Sequence, residues 1–227
     1  MTKRGIWTLI GLAVIVVAVV LVVVLTRSPS ETEPEITATY VIAIDAGHGG
    51  SDPGATVGEI YEKDLNLQIA AKVVELLEAD PAYAAVRTRT MDIGVALEDR
   101  IRMAEEAGAI AYVSIHVNAF DTSEAYGVET LVDTTRVDGD DSDVLAGLIQ
   151  GGVVAATGAR DRGTRTQESY LQRTALPAVS VETGYLTNDE ERELLLDPAY
   201  QELIAQGIVQ GIRQFVELRY GEPAPDA

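Results

Sequence analysis

Three short apolar runs, each leading directly into a residue able to do chemistry, constrain this chain more than any other feature. Tyr40–Asp45 (YVIAID) runs into a glycine loop that carries His48. Ile110–His116 (IAYVSIH) ends on a histidine, and Pro177–Glu182 (PAVSVE) ends on a glutamate. Short β-branched runs bounded by turn residues predict buried strands. Ala85–Thr88 and Gly127–Val132 predict further strands. Between them lie stretches of helical period. Asp64–Ala79 places Leu65, Ile69, Val73, Leu76 and Leu77 on one face. Leu97–Ala107 stops at Gly108, and a helix capped by Ser142 runs to Thr157 and closes at Gly158. Pro198–Arg219 is the last, and Gly207 and Gly211 within it are expected to let it pack closely on the sheet. Strands alternating with helices predict an α/β fold, a mostly parallel sheet with helices on both faces. Such sheets bind ligands at the carboxyl ends of their strands. His48, His116 and Glu182 all fall there.

The chain ahead of this domain has a different character. Ile6–Leu25 carries no charge and is rich in Val, Ile and Leu. A helix of ~20 such residues spans a bilayer core. Lys3 and Arg4 precede it, which predicts a cytoplasmic N-terminus and a domain outside the cell membrane, single-pass. A cleaved signal peptide is the rival, but Thr26-Arg27-Ser28-Pro29 offers no small-residue cleavage site. Residues 1–27 are therefore expected to be an anchor and 28–38 an acidic, proline-containing linker. Residues 39–220 are expected to form the folded domain and 221–227 a flexible tail.

Composition excludes several chemistries. There is no cysteine among 227 residues, so disulfides, thiolate zinc sites, iron–sulfur clusters and thiol catalysis are absent. The formal net charge is -19, and the first 27 residues contribute only positive charge. An exported surface this acidic repels phosphate, so no nucleic-acid partner is expected. The domain is expected to be a monomer.

Only two histidines exist, His48 and His116. The loop around His48, AGHGGSDPG, lacks the G-K-[ST] ending of a phosphate loop, and no G-x-S-x-G occurs. It suits a loop that presents an imidazole. Two histidines at two strand ends of one sheet can share a metal, and a pair of imidazoles suits zinc. A third ligand must be a carboxylate. Glu62 opens the helix EKDLNLQIAAK beside the glycine loop; Glu59 and Asp64 are its rivals. Glu182 enters a low-dielectric strand end, which raises a carboxyl pKa and suits a general base.

Taken together, IDAGHGGSDPGA, EKDLNL, SIHVNA and PAVSVETGYLTNDEE resemble, in order and spacing, the zinc-dependent N-acetylmuramoyl-L-alanine amidases of the AmiC-like family. The resemblance runs from about Val41 to Phe215. It implies a twisted, mostly parallel sheet flanked by helices and a single zinc. His48, Glu62 and His116 fall on the family's metal ligands and Glu182 on its catalytic glutamate. Arg162-Gly163 resembles the family's arginine–glycine pair; Arg162, Asn118 and Asp45 are expected to face substrate or support the ligands. Ala46 stands where the family often has proline, which spares the ligands. Some relatives carry an inhibitory helix between positions equivalent to Val132 and Ser142; the connection here, DTTRVDGDD, is too short for one, so activity without an activator is expected. The implied reaction is hydrolysis of the bond between N-acetylmuramic acid and L-alanine in bacterial peptidoglycan, in wall remodelling or cell separation. Another zinc hydrolase of cell wall, a peptidase or a deacetylase, is the alternative.

Overall fold

The computed structural model describes residues 40–136 and 140–221. The anchor and linker expected in residues 1–38 lie outside the described residues, as do residues 137–139 and the tail from 222. Among the described residues no helix is long and apolar enough to cross a membrane.

The elements follow in chain order. Strand β1 is Tyr40–Ala46, followed by a small hairpin of β2 (Thr56–Val57) and β3 (Ile60–Tyr61). Helix α1 is Glu62–Glu78, β4 Tyr83–Arg87, α2 Leu97–Glu106, β5 Ala111–Asn118 and β6 Val128–Asp133. Helix α3 is Asp141–Thr157, β7 Asp161–Gln167, a 3-10 turn covers Tyr170–Arg173, and β8 is Ala178–Tyr185. Helices α4 (Asp189–Leu196) and α5 (Pro198–Tyr220) finish the chain. Six strands form one sheet in the order β4-β1-β5-β8-β6-β7. Within that sheet only the β6–β8 pairing is antiparallel. The expected α/β architecture with a mostly parallel sheet is present.

The two faces of the sheet are unequally covered. Successive side chains alternate across a strand. Ile42, Ile44, Val113, Ile115, Val179 and Val181 point to one face and join α1, α3 and α5 in the larger core. Ala43, Tyr112 and Ala178 point to the other, where α2 and the 3-10 turn cover them with Ile101, Ala104 and Leu171. This second cover is short. It leaves the ends of β5, β8 and β6 open on that face, and the polar residues His116, Glu182 and Glu129 occupy the opening.

Several sequence expectations shift on inspection. Helix α1 begins at Glu62, as expected of the residue that opens EKDLNLQIAAK, and takes in Lys63 ahead of the apolar face that starts at Leu65. Helix α3 is capped by Asp140, whose side chain accepts from the Ser142 N–H. Ser142 is instead buried, and its Oγ accepts from the Ala178 N–H. Gly207 and Gly211 pack on α3 rather than on the sheet: a Cβ at Gly207 would lie 2.5 Å from Val153 Cα, and one at Gly211 would lie 2.5 Å from Ile149 Cα. Strand β7 (DRGTRTQ) was not foreseen, because an exposed edge strand needs no apolar run.

Candidate metal centre

The loop after β1 folds tightly. His48 has a φ of 62°, a left-handed conformation rare for a residue with a side chain. Two buried arginines hold the loop there. Arg100 donates to the carbonyls of Ala46 at 2.8 Å and His48 at 2.6 Å, and Arg89 to those of Ala46 at 2.8 Å and Gly47 at 3.0 Å. Backbone strain of this kind persists only where surrounding contacts over-determine it.

The clamp turns His48 toward Glu62. His48 Nε2 lies 3.3 Å from Glu62 Oε1, and His116 Nδ1 lies 2.9 Å from the same oxygen. Donor atoms of His48, Glu62 and His116 lie within 4.8 Å of one another. The helix start at Glu62 explains its selection over its rivals: Glu62 is buried, and its Oε2 accepts from the Ala55 N–H at 2.8 Å. The Glu59 and Asp64 side chains do not join the cluster. Asn66, one turn on, donates to Glu62 Oε1 at 3.2 Å. Burial pushes the Glu62 carboxyl up, but hydrogen bonds from His116 and His48 outweigh it and hold the carboxyl well below the usual range. The hydrogen bond to Glu62 raises the His48 pKa to about 9; burial opposes this, and Glu62 and Asp52 add to it.

Asp52 had no sequence signal beyond its spacing from His48. Its Oδ2 sits 2.7 Å from His48 Nδ1, so it fixes the ring with Nε2 directed at Glu62. A carboxylate on the outer nitrogen is the usual support of a metal-bound histidine. Two imidazoles and one carboxylate in convergent contact are a donor set that suits zinc and leaves a position open.

Glu182 stands beside this cluster. It is the register partner of His116 across β5 and β8, and Glu129 is its register partner across β8 and β6. Burial raises its carboxyl, and although His116 pulls it down, Glu62 and Glu129 leave it at about 7.

The remaining expected residues take supporting positions. Asp45 is buried at the floor of the cleft beside His48 and His116. It accepts from Arg100 at 2.5 Å, Thr88 at 2.5 Å, Ser114 at 2.6 Å and Tyr170 at 2.9 Å. Asn118 donates to Glu129 Oε1 at 2.8 Å, and Arg162 Nε donates to Glu129 Oε2 at 3.3 Å. Glu129, Arg89 and Arg100 were missed because single charged residues in mixed segments carry no sequence mark. A cleft of about 540 Å³ opens on the other side of the cluster, lined by Gly47, His48, Val95, Leu97, His116 and Tyr170 among others.

Comparison with known proteins agrees with this geometry. The sequence profile described as N-acetylmuramoyl-L-alanine amidase matches residues 42–214. The chain is 39% identical over 171 residues to the N-acetylmuramoyl-L-alanine amidase LytC of Bacillus subtilis (strain 168), covering 75% of this chain and 34% of LytC. It is 34% identical over 193 residues to the YqiI protein of the same strain, covering 85% of this chain and 92% of YqiI. Among solved structures, the N-acetylmuramoyl-L-alanine amidase from Clostridium difficile 630 superposes with a TM-score of 0.76 at 36% identity, covering 81% of this chain and all of that one (100%).

Proposed function

The chain belongs to the N-acetylmuramoyl-L-alanine amidase family, and we propose that it cleaves the N-acetylmuramic acid–L-alanine amide of peptidoglycan with zinc held by His48, Glu62 and His116. The observation that carries this reading is the placement of Glu182, one strand over from His116 and at the same register as it.

A zinc ion at the cluster supplies Lewis acidity toward the scissile carbonyl and toward an attacking water. The protein supplies the rest. Glu62 and the two imidazoles present their donors from three different elements, so the site is fixed before substrate arrives. Asp52 and Asn66 hold the donors in place. Glu182, with its carboxyl near neutrality, takes the proton of the attacking water and passes it to the departing nitrogen of L-alanine. Hydrolysis separates the glycan from the peptide. We infer further that residues 6–25 keep the domain at the outer face of the cell membrane, on the strength of their length, their lack of charge and the Lys3 and Arg4 that precede them. The short β6–α3 connection supports activity without an activator.

Digestion of purified cell wall with the full chain tests the reading. New free L-alanine amines, with glycan N-acetyl groups intact, are expected, and chelation should stop the reaction without unfolding the protein. New amines on other residues, or free glucosamine amines, would replace the amidase reading with a peptidase or a deacetylase.

A further inference from the structure

Strand β7 carries two arginines, Arg162 and Arg165, three residues apart. On a regular strand that spacing would send them to opposite faces. The β6–β7 register shows why it does not. Val128 pairs with Asp161 and Thr130 with Thr164, so β7 holds one extra residue between these pairs. Gly163, at a φ of 77°, lies within the bulge. Bulges beside active sites re-aim side chains. Here the bulge brings both guanidiniums to one oxygen of Glu129: Arg162 Nε at 3.3 Å and Arg165 Nε at 3.1 Å from Oε2.

Glu129 does not need two cations. Its other oxygen already accepts from Asn118 at 2.8 Å and from the Tyr185 hydroxyl at 2.7 Å. Arg162 also faces the Glu191 carboxyl, so it is Arg165 that is left to an outside partner. The two arginines are not equivalent. Arg162 is pinned: it also donates to the Tyr126 carbonyl at 3.3 Å and stacks 4.9 Å over the Tyr185 ring. Arg165 is 56% exposed and pairs with no other carboxylate among the described residues.

We propose that Arg165, braced by Glu129 and Arg162, binds a carboxylate on the peptide portion of the substrate, and so places that peptide on the β7 side of Glu182. The proposal rests on the amidase reading. Its geometry follows from the sheet. His116, Glu182 and Glu129 form one row across β5, β8 and β6, and β7 is next. Neighbouring strands are ~4.8 Å apart, and the Arg165 guanidinium reaches back to Glu129 on β6, so it lies roughly 10 Å from the β5 end of the row. Peptide extends ~3.5 Å per residue, so a carboxylate within the first two or three residues beyond the scissile amide reaches the arginine. The glycan is then left to the cleft beside His48, Leu97 and Tyr170. A guanidinium–carboxylate pair also distinguishes a free carboxylate from its carboxamide, which has lost the charge.

The test uses the zinc-loaded full chain in detergent and two N-acetylmuramoyl-L-alanyl-glutamate substrates. In one the glutamate α-carboxyl is free and in the other it is a carboxamide; in both the γ-carboxyl is capped as a methylamide, so that only one carboxylate is varied. The wild type is expected to favour the free acid by about 10-fold, mainly in KM. Arg165→Ala should bring the ratio toward one, and Arg165→Lys should restore part of it. No preference in the wild type, or an unchanged ratio in Arg165→Ala, overturns the proposal. Calorimetric binding of the peptides L-alanyl-glutamate and L-alanyl-glutamate amide, with the same γ-methylamide cap, separates the two readings. Cleavage of neither substrate with Arg165-dependent binding of the acid would sink the amidase reading and keep the subsite. Binding that does not depend on Arg165 sinks the subsite whatever the turnover.

Discussion

His116 and Glu182 sit opposite each other on adjacent parallel strands, β5 and β8, on the sparsely covered face of the sheet. One belongs to the triad that suits a metal, and the other does not. The pairing separates holding a metal from moving a proton. Glu182→Gln preserves size but cannot take up a proton, and loss of a general base costs about 10²–10⁴-fold in rate. The variant should keep close to one zinc per chain by atomic absorption while turnover falls by that range. His116→Ala should lose both. Equal zinc loss in the two variants would make Glu182 a ligand.

Asp52 holds the outer nitrogen of His48 at 2.7 Å and does not itself join the triad. Removing such a support typically costs about 10- to 100-fold in metal affinity or activity. Asp52→Ala should therefore lose zinc to a competing chelator at proportionally lower chelator concentration, with the fold unchanged by circular dichroism. A zinc affinity equal to that of the wild type would show that the strained loop alone orients His48.

Acid should act on the domain through Asp45. Burial by itself would raise this carboxyl, but the Arg100 guanidinium and the hydroxyls of Ser114 and Thr88 outweigh burial and hold it below the ordinary aspartate value. A folded-state pKa below the unfolded value of ~3.9 means the carboxylate stabilises the fold fully above that pH, and the contribution is lost as pH falls through the folded value. Asp45→Asn leaves Arg100 buried without its charge partner, a loss of about 3–5 kcal/mol for such pairs. Denaturant melts should show that gap at pH 7 and a smaller gap below about pH 4. A gap independent of pH would remove the ion pair as its cause.

The core strands and the long helices are legible in the sequence because their apolar residues repeat at the period of the element that buries them. All three members of the candidate metal triad were legible, Glu62 only through the family resemblance. Two histidines were easy to single out, whereas Glu62 could not be separated from Glu59 and Asp64 by charge alone. What selects it is burial and the Ala55 N–H, and both arise from the β2–β3 hairpin folding back over the helix start. Asp52, Arg89, Arg100 and Glu129 are positioned by tertiary contacts between segments far apart in the chain. No local pattern marks them. Strand β7 was invisible for a related reason, since an exposed edge strand is free to be polar.

The apolar run Ile6–Leu25 makes a separate prediction. Without a small-residue cleavage site after it, the mature protein should retain it. Mass measurement of the membrane fraction should return the intact N-terminus. A soluble form beginning after residue 27 would show that the run is a signal peptide.

Gly47 offers the sharpest test of how the backbone builds the site. It lies between Ala46 and His48, and its carbonyl is held by Arg89 and by Asn66. A Cβ added there would come within 2.2 Å of His116 Cε1 and 2.3 Å of His116 Nε2. Neither side can yield at low cost: the imidazole is tied to Glu62, and the loop is clamped to two arginines. Gly47→Ala should therefore displace His116 from the triad and lower zinc affinity by at least about 10-fold, a loss like that from removing a histidine's support. Gly58 is the control. It has a φ of 61° and nothing within 4 Å of its added Cβ, so Gly58→Ala meets only the left-handed backbone penalty of about 1–2 kcal/mol. Thermal melts should show a modest loss of stability in Gly58→Ala with zinc affinity kept. Gly47→Ala should show the reverse weighting, with metal lost ahead of fold. Wild-type zinc affinity in Gly47→Ala would mean that the loop and the imidazole are not locked together.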